Sequence, residues 1–136
     1  MIRNAEMGKE IVVMSSNRVG ILSSVAKLLA DRGINIIALS AQAAGGVALM
    51  NMVVDEHLRA CDLLRKNKFP VHENNIVMLE VEDKPGVLKY VTARLAARKV
   101  DILNIYGSAS STFAPCVLAL STTNNQKALV ALKNKR

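Results

Sequence analysis

A six-residue stretch that occurs twice limits this chain more than any other feature. Asp83-Lys84-Pro85-Gly86-Val87-Leu88 stands where an alternating strand pattern gives way to a helical one, and 66 positions earlier Asn17-Arg18-Val19-Gly20-Ile21-Leu22 stands at the same kind of junction. The match runs on at that offset: Val25 with Val91, Leu29 with Leu95, Ala30 with Ala96, Arg32 with Arg98, Ile36 with Ile102. Repetition at a fixed period of both a turn and the apolar positions behind it marks an internal duplication. The 136 residues then divide into two units, 1–72 and 73–136.

The turn has a physical logic. Pro85 has a fixed φ and no N–H, which suits the first turn of a helix. Asp83 is placed to cap the free N–H groups there, and Gly86 admits a close neighbour. Such a helix start, with its positive dipole end, tolerates a carboxylate or phosphate nearby.

Read in order, residues 1–8 are short and polar, a lightly ordered lead-in. The apolar run Ile11, Val12, Val13, Met14 predicts a central strand over Glu10–Ser15. Ile21, Leu22, Val25, Leu28 and Leu29 then fall on one helical face, and Gly33 stops that helix. Ile34–Ala43 and Val47–Val54 read as a hairpin about Gly45-Gly46. A second helix over Glu56–Asn67 follows, capped by Asp55, with Leu58, Cys61 and Leu64 inward, and Phe69–His72 makes a fourth strand. That order is βαββαβ.

The second half repeats it. A strand at Ile76–Glu82 leads to the Asp83 turn and to a helix with Val87, Leu88, Val91 and Leu95 inward. Strands at Val100–Ser108 and Pro115–Ser121 flank a polar loop, Ser110-Ser111-Thr112. The last helix, Asn125–Lys133, turns Ala128, Leu129 and Leu132 inward. Its segments match best at an offset near 68, which makes the loop two residues longer than its counterpart. No equivalent of Phe69–His72 follows. In the strand order 4-1-3-2 the strand at Ile76–Glu82 is therefore expected to be an exposed edge, covered by a partner chain or exposed because the sequence is a shortened form.

Composition excludes several classes. With no Trp, two Phe and two Tyr, the core must be aliphatic, and stacking platforms for single-stranded nucleic acid are poorly supplied. The net charge of +7 is spread evenly: nine basic and six acidic residues up to position 70, nine and five beyond it. The densest clusters, Arg65, Lys66, Lys68 and Lys133, Lys135, Arg136, sit at helix C-termini, where the dipole favours cations. Nucleic acid is thus a poor candidate partner. Cys61 and Cys116 have no CxxC spacing and read as free thiols of a reducing compartment. With no membrane-length apolar run and no signal-peptide pattern, the expected location is cytoplasmic.

These residues resemble the ACT domains, small regulatory modules that bind amino acids and related metabolites. The resemblance rests on the strand before Asp83–Leu88, on Leu95-Ala96-Ala97-Arg98 and on Val100-Asp101-Ile102. It rests equally on Asn17–Leu22 with Leu28-Leu29-Ala30-Asp31-Arg32-Gly33-Ile34-Asn35-Ile36, and it covers nearly the whole chain. It implies an α+β architecture of two ferredoxin-like units in tandem, antiparallel sheets with both helices of a unit on one face. The arrangement is that of a free-standing regulatory protein with no catalytic domain attached.

In that family a ligand sits where the first turn of one unit faces another unit's second strand. Carried over by position, the resemblance points to Asn17, Arg18, Val19, Gly20, Ile21 and Leu22, and to Asp83, Lys84, Pro85, Gly86, Val87 and Leu88. Asn35 and Ile36, with Asp101 and Ile102, are the second-strand contributors. The first loop departs from the pattern in having Asn17 for the usual Asp and Val19 for the usual Pro, and the second strand of the second unit has Asp101 for the usual Asn. Asp83 with Asn35 is therefore the better expected site: carboxylate and amide suit an α-ammonium group, and N–H groups near Gly86 suit an α-carboxylate.

No nucleophile with its base and no metal set is evident, so no enzyme is expected and no cofactor is named. His57 and His72 read as solvated surface groups, and Cys61 as core. The two remaining classes are an amino-acid sensor and an interaction module that modulates a partner enzyme or transcriptional regulator without a ligand of its own. A homodimer is expected in either case.

Overall fold

The computed structural model describes residues 1–108 and 116–133. The loop Ser110-Ser111-Thr112, the start of the Pro115 strand and the basic residues Lys135 and Arg136 lie outside the described residues. The fold is α+β, with antiparallel strands and helices in the order β1 (Ile2–Ser16), α1 (Ile21–Ala30), β2 (Ile36–Ala44), β3 (Val47–Val54), α2 (His57–Lys66), β4 (Val71–Val81), α3 (Val87–Ala97), β5 (Ile102–Gly107), β6 (Cys116–Thr122) and α4 (Asn125–Lys133). The chain forms two compact units, Lys9–Asn74 and, second, residues 1–8 together with the chain from Asn75 on.

In the first unit the strand order is β2-β3-β1-β4. Pairing runs from Ile11 opposite Met52 to Ser16 opposite Val47, and from Ile36 opposite Val54 to Ala44 opposite Val47. Alternate residues of β1 and β3, namely Ile11, Val13, Met50 and Met52, face α1 and α2. From α1 come Ile21, Val25 and Leu29, at four-residue intervals that align on one face. From α2 come Ala60, Cys61 and Leu64, whereas Leu58 is exposed rather than inward. The fourth strand is not confined to Phe69–His72: β4 runs without a break from Val71 to Val81, joining the segments expected at Phe69–His72 and Ile76–Glu82.

The second unit corrects the expectation for residues 1–8. They are strand, not a loose lead-in, and they lie beside β4 in the order β1-β4-β6-β5. The Glu82 N–H donates to the Met1 carbonyl at 3.0 Å. At the other end Gly8 lies so close to Met78 and Ile76 that a Cβ there would meet Met78 Cγ at 2.6 Å. Ala5 is buried among Val77, Leu79, Val91 and Leu95, with Ile2 and Met7 packed against the same core. The edge expected to be bare is thus covered by the chain's own N-terminal residues, and the position of the fourth strand is filled from the wrong end of the sequence.

The repeat survives in the registers. Ile36 pairs with Val54 and Ile102 with Thr122, so the offset is 66 on one strand of the hairpin and 68 on the other. Both hairpins carry a bulge at the same place, between Ile36 and Ala38 and between Ile102 and Asn104. The two extra residues therefore fall between β5 and β6, as expected.

Candidate functional site

The duplicated turns have the same geometry. In the first, the Ile21 N–H donates to the Arg18 carbonyl at 3.2 Å, and in the second the Val87 N–H donates to that of Lys84 at 3.4 Å. The third residue of each is glycine, with φ 86°, ψ 6° at Gly20 and φ 92°, ψ −7° at Gly86. These are the values of the third position of a type II turn, which glycine adopts without strain. Pro85 and Val19 then occupy the second position, where proline's fixed φ is already correct.

This geometry changes the roles assigned to two residues. The glycine itself is the N-cap of α1 and of α3, and neither helix has a side-chain cap hydrogen bond or an acidic residue in its first turn. Asp83 is therefore not a cap, and Pro85 precedes the helix instead of opening it. Leu88 is exposed rather than inward. What remains is a pair of exposed helix starts without a side-chain cap hydrogen bond, each with a positive dipole end.

Their surroundings differ. The Asn17 N–H is held by the Gly46 carbonyl at 2.8 Å, Arg18 donates to Ser24 Oγ at 3.4 Å, and Val19 stands fully in solvent. In the second loop Lys84 pairs with Glu82 at 3.5 Å. Asp83 is near enough to Cys116 that, after burial, its carboxylate is the second cause pushing that thiol above its usual range. Ile21 and Val87 are buried anchors of their helices.

The strand-two residues lie elsewhere. Asn35 is clasped by Asp55, whose Oδ1 accepts the Asn35 N–H at 3.0 Å and whose own N–H donates to the Asn35 carbonyl at 3.1 Å. Asp55 is thus a clasp and not the cap of α2. Thr123 does the same for Asp101, at 3.1 and 3.0 Å. Along β3 the Asn17 loop adjoins Val47, while Asn35 adjoins the far end beyond Val54. Seven residues at ~3.4 Å each put the two about 24 Å apart. Within one unit, then, the structure does not bring Asn17–Leu22 to Asn35 and Ile36, nor Asp83–Leu88 to Asp101 and Ile102. A site made of both needs a loop from one unit and a strand end from another.

A third cluster went unread in the sequence. His57 at the start of α2, Cys61 one turn on and Glu73 on β4 place three potential ligand atoms within 4.8 Å of one another. His57 Nε2 lies 2.6 Å from Glu73 Oε1 and 3.6 Å from Cys61 Sγ, and Arg65 donates to Glu73 Oε2 at 3.1 Å. His57 is therefore half-buried and engaged, not a solvated surface group, although His72 is exposed. The hydrogen bond from His57, and then that from Arg65, hold the Glu73 carboxyl below its usual range. Burial, and then the Glu73 charge, push the Cys61 thiol up. The i, i+4 spacing of His57 and Cys61 was legible, since such pairs share a helix face. Glu73, from another element, was not. The cluster is no nucleophilic relay: thiol and carboxylate approach the same ring nitrogen, Nδ1 is buried with no hydrogen-bond partner, and Cys61 is 2% exposed.

Residues 11–66, most of the first unit, match the family profile of the AHAS small subunit-like ACT domain. Over those residues the chain is similar to an ACT domain. Among solved structures, protein BT0572 from Bacteroides thetaiotaomicron is similar at 26% identity and a TM-score of 0.85, covering 95% of this chain and 88% of that one. The ligand-free regulatory subunit of aspartate kinase from Thermus thermophilus shares the fold at 16% identity and a TM-score of 0.68, covering 97% and 96%. The corresponding subunit from Thermus flavus does so at 14% and 0.59, with the same coverage. No curated protein sequence gives a significant match. Among the described residues no helix is long and apolar enough to cross a membrane.

Proposed function

We propose that this protein is a regulatory sensor of an amino acid or closely related metabolite, held at the glycine turns that open α1 and α3. The observation that carries the reading is the duplicated helix start: two exposed N-termini with no side-chain cap, no acidic residue in the first turn and a basic residue, Arg18 or Lys84, in the turn itself. A helix N-terminus without a side-chain cap, at the dipole's positive end, is matched to an α-carboxylate. Asp83 in the second turn supplies the charge that an α-ammonium group needs, whereas Asn17 in the first does not. The binding residues in this reading are Asn17–Leu22 and Asp83–Leu88, completed by Asn35 and Ile36 or Asp101 and Ile102, with Asp83 and Asn35 making the stronger site.

Because loop and strand end lie far apart within a unit, the reading has a second copy of the chain complete the site, which makes the working form a homodimer. The Ile76–Glu82 edge, paired with the chain's own N-terminal residues, gives no support to a partner. The proposed setting is the cytoplasm, where amino-acid pools are sensed, and the output is modulation of a partner enzyme. That two similar folds are regulatory subunits of aspartate kinase supports a role of this kind.

A second reading, an interaction module without a ligand, is favoured by the apolar side chains that the turns present to solvent, Val19 above all and Leu88. A thermal-shift screen against the twenty amino acids at millimolar concentration separates the two, since selective binding to the native state must raise the midpoint. A rise with one or a few amino acids, lost in Asp83→Ala and in Asn35→Ala, supports the sensor. A well-folded sample with no rise for any of them sinks it.

A further inference from the structure

We propose that His57, Cys61 and Glu73 form a binding site for a thiophilic divalent cation of the Zn2+ type, a function separate from the glycine turns. The ligand set is one nitrogen, one sulfur and one carboxylate oxygen, the donors that zinc takes in tetrahedral sites. The geometry is close. With Zn–S near 2.3 Å and Zn–N near 2.0 Å, the N···S edge of a zinc tetrahedron is about 3.5 Å, and His57 Nε2 and Cys61 Sγ stand 3.6 Å apart.

The His57–Glu73 edge must open from its present 2.6 Å. Glu73 is the exposed member of the set and can make that movement by rotating its side chain. Its second oxygen is already held by Arg65, so Oε1 is left for a cation while Oε2 keeps an outer partner that orients the carboxylate. The thiol lies at the base of the site, the imidazole beside it and the carboxylate toward solvent, which gives the ion an entry path. Two helix residues one turn apart and one strand residue would then tie α2 to β4 in the first unit, with a fourth position open to water.

The repeat does not require this cluster. At the offset of 68 that relates Asp55 to Thr123, His57 and Cys61 correspond to Asn125 and Leu129. Asn125 instead donates to the Asn75 carbonyl at 2.8 Å and accepts from Thr122 Oγ1 at 2.7 Å. A ligand-competent set in one unit and a neutral amide with a leucine in the other is a difference that the shared fold leaves free.

On binding, the Cys61 S–H bond breaks, the proton leaves to buffer, and the thiolate pair is donated to the cation; no oxidant or reductant takes part. The test is a titration of the intact chain with Co2+, then Zn2+, in a Cys116→Ser background that removes the other thiol. The expected result is one Co2+ per chain, a sulfur-to-cobalt charge-transfer band with the intense visible bands of a tetrahedral site, and displacement by Zn2+. Glu73→Gln, which removes a direct ligand, should weaken binding by more than the ~10-fold that loss of an outer partner costs, and Cys61→Ala should abolish the charge-transfer band. Absence of that band under excess Co2+, or its persistence in Cys61→Ala, overturns the proposal. Should Cys61→Ala fail to fold, an unchanged cobalt affinity in Glu73→Gln overturns it equally.

Discussion

The use of residues 2–8 as a core strand can be tested by one charge placed on each of its faces. Successive side chains of a strand point to opposite sides, and here Ala5 is 5% exposed within the second core while Asn4 next to it is exposed. Ala5→Asp puts a carboxyl among Val77, Leu79, Val91 and Leu95, where the only tolerable form is the neutral acid. Keeping an aspartic acid of ordinary pKa ~3.9 protonated at pH 7 costs about 4 kcal/mol, at ~1.36 kcal/mol per unit. Asn4→Asp adds the same charge to the solvent face and should stay within ~0.5 kcal/mol.

The sign with pH is fixed. A carboxyl whose folded pKa is raised carries no penalty below its unfolded value, and the penalty grows as pH rises above it. The cost has a ceiling, because the strand can lift off the sheet, and it cannot exceed the free energy of that local opening. Two measurements therefore belong together: urea unfolding of both variants, and amide exchange over Val77–Glu82, the strand that residues 2–8 cover. Ala5→Asp should either lose about 4 kcal/mol or lose less with faster exchange in that segment. A loss below ~0.5 kcal/mol with unchanged exchange would refute the docking of the N-terminal strand.

Three further outcomes are expected. Gly20→Ala meets no atom within 4 Å, so its cost should be the strain of the left-handed conformation alone, about 1–2 kcal/mol by urea unfolding, and Gly20→Asn should cost less. Asp55→Ala removes the acceptor of the Asn35 N–H and should cost about 0.5–1.5 kcal/mol, with faster exchange at that amide as its signature. Glu73 is held below its usual range by His57 and Arg65, so its contribution is full above the ordinary glutamate value near 4.3 and is lost as pH falls through the lowered folded value. In buffer containing a chelator, Glu73→Gln should flatten the fall of the urea midpoint over that acid range; an unchanged profile would show that the pair adds nothing.

What the sequence disclosed, and what it withheld, follows from how far each signal reaches. Ile21, Val25 and Leu29, or the hairpin about Gly45-Gly46, are local patterns that need nothing but their own neighbours, and the structure has them where the spacing puts them. The duplication is also local, twice over, which is why even the two-residue insertion between β5 and β6 could be counted. The turns were found but misread: the pattern shows Pro85 and Gly86, and only φ reveals a type II turn whose glycine is itself the helix cap. Leu58 fell to the same weakness, a helical face guessed one position off when Ala60 was too small to register as core.

The N-terminal strand was hidden for a different reason. In Ile2–Gly8 only Ile2, Ala5 and Met7 are apolar and they do not alternate, so no period of two announces a strand, and its partner lies some seventy residues away. A bare edge at Ile76–Glu82 was the real clue, because an unpaired strand implies something to pair with it. The strand that pairs with it comes from the same chain. Candidate sites follow the same rule: the glycine turns are contiguous in the sequence, whereas the His57, Cys61 and Glu73 cluster exists only once β4 has been laid against α2. A sequence with a duplicated motif is therefore best searched for unlike residues at equivalent positions, Asp83 against Asn17 and His57 against Asn125. There the shared fold imposes nothing, and function is free to differ.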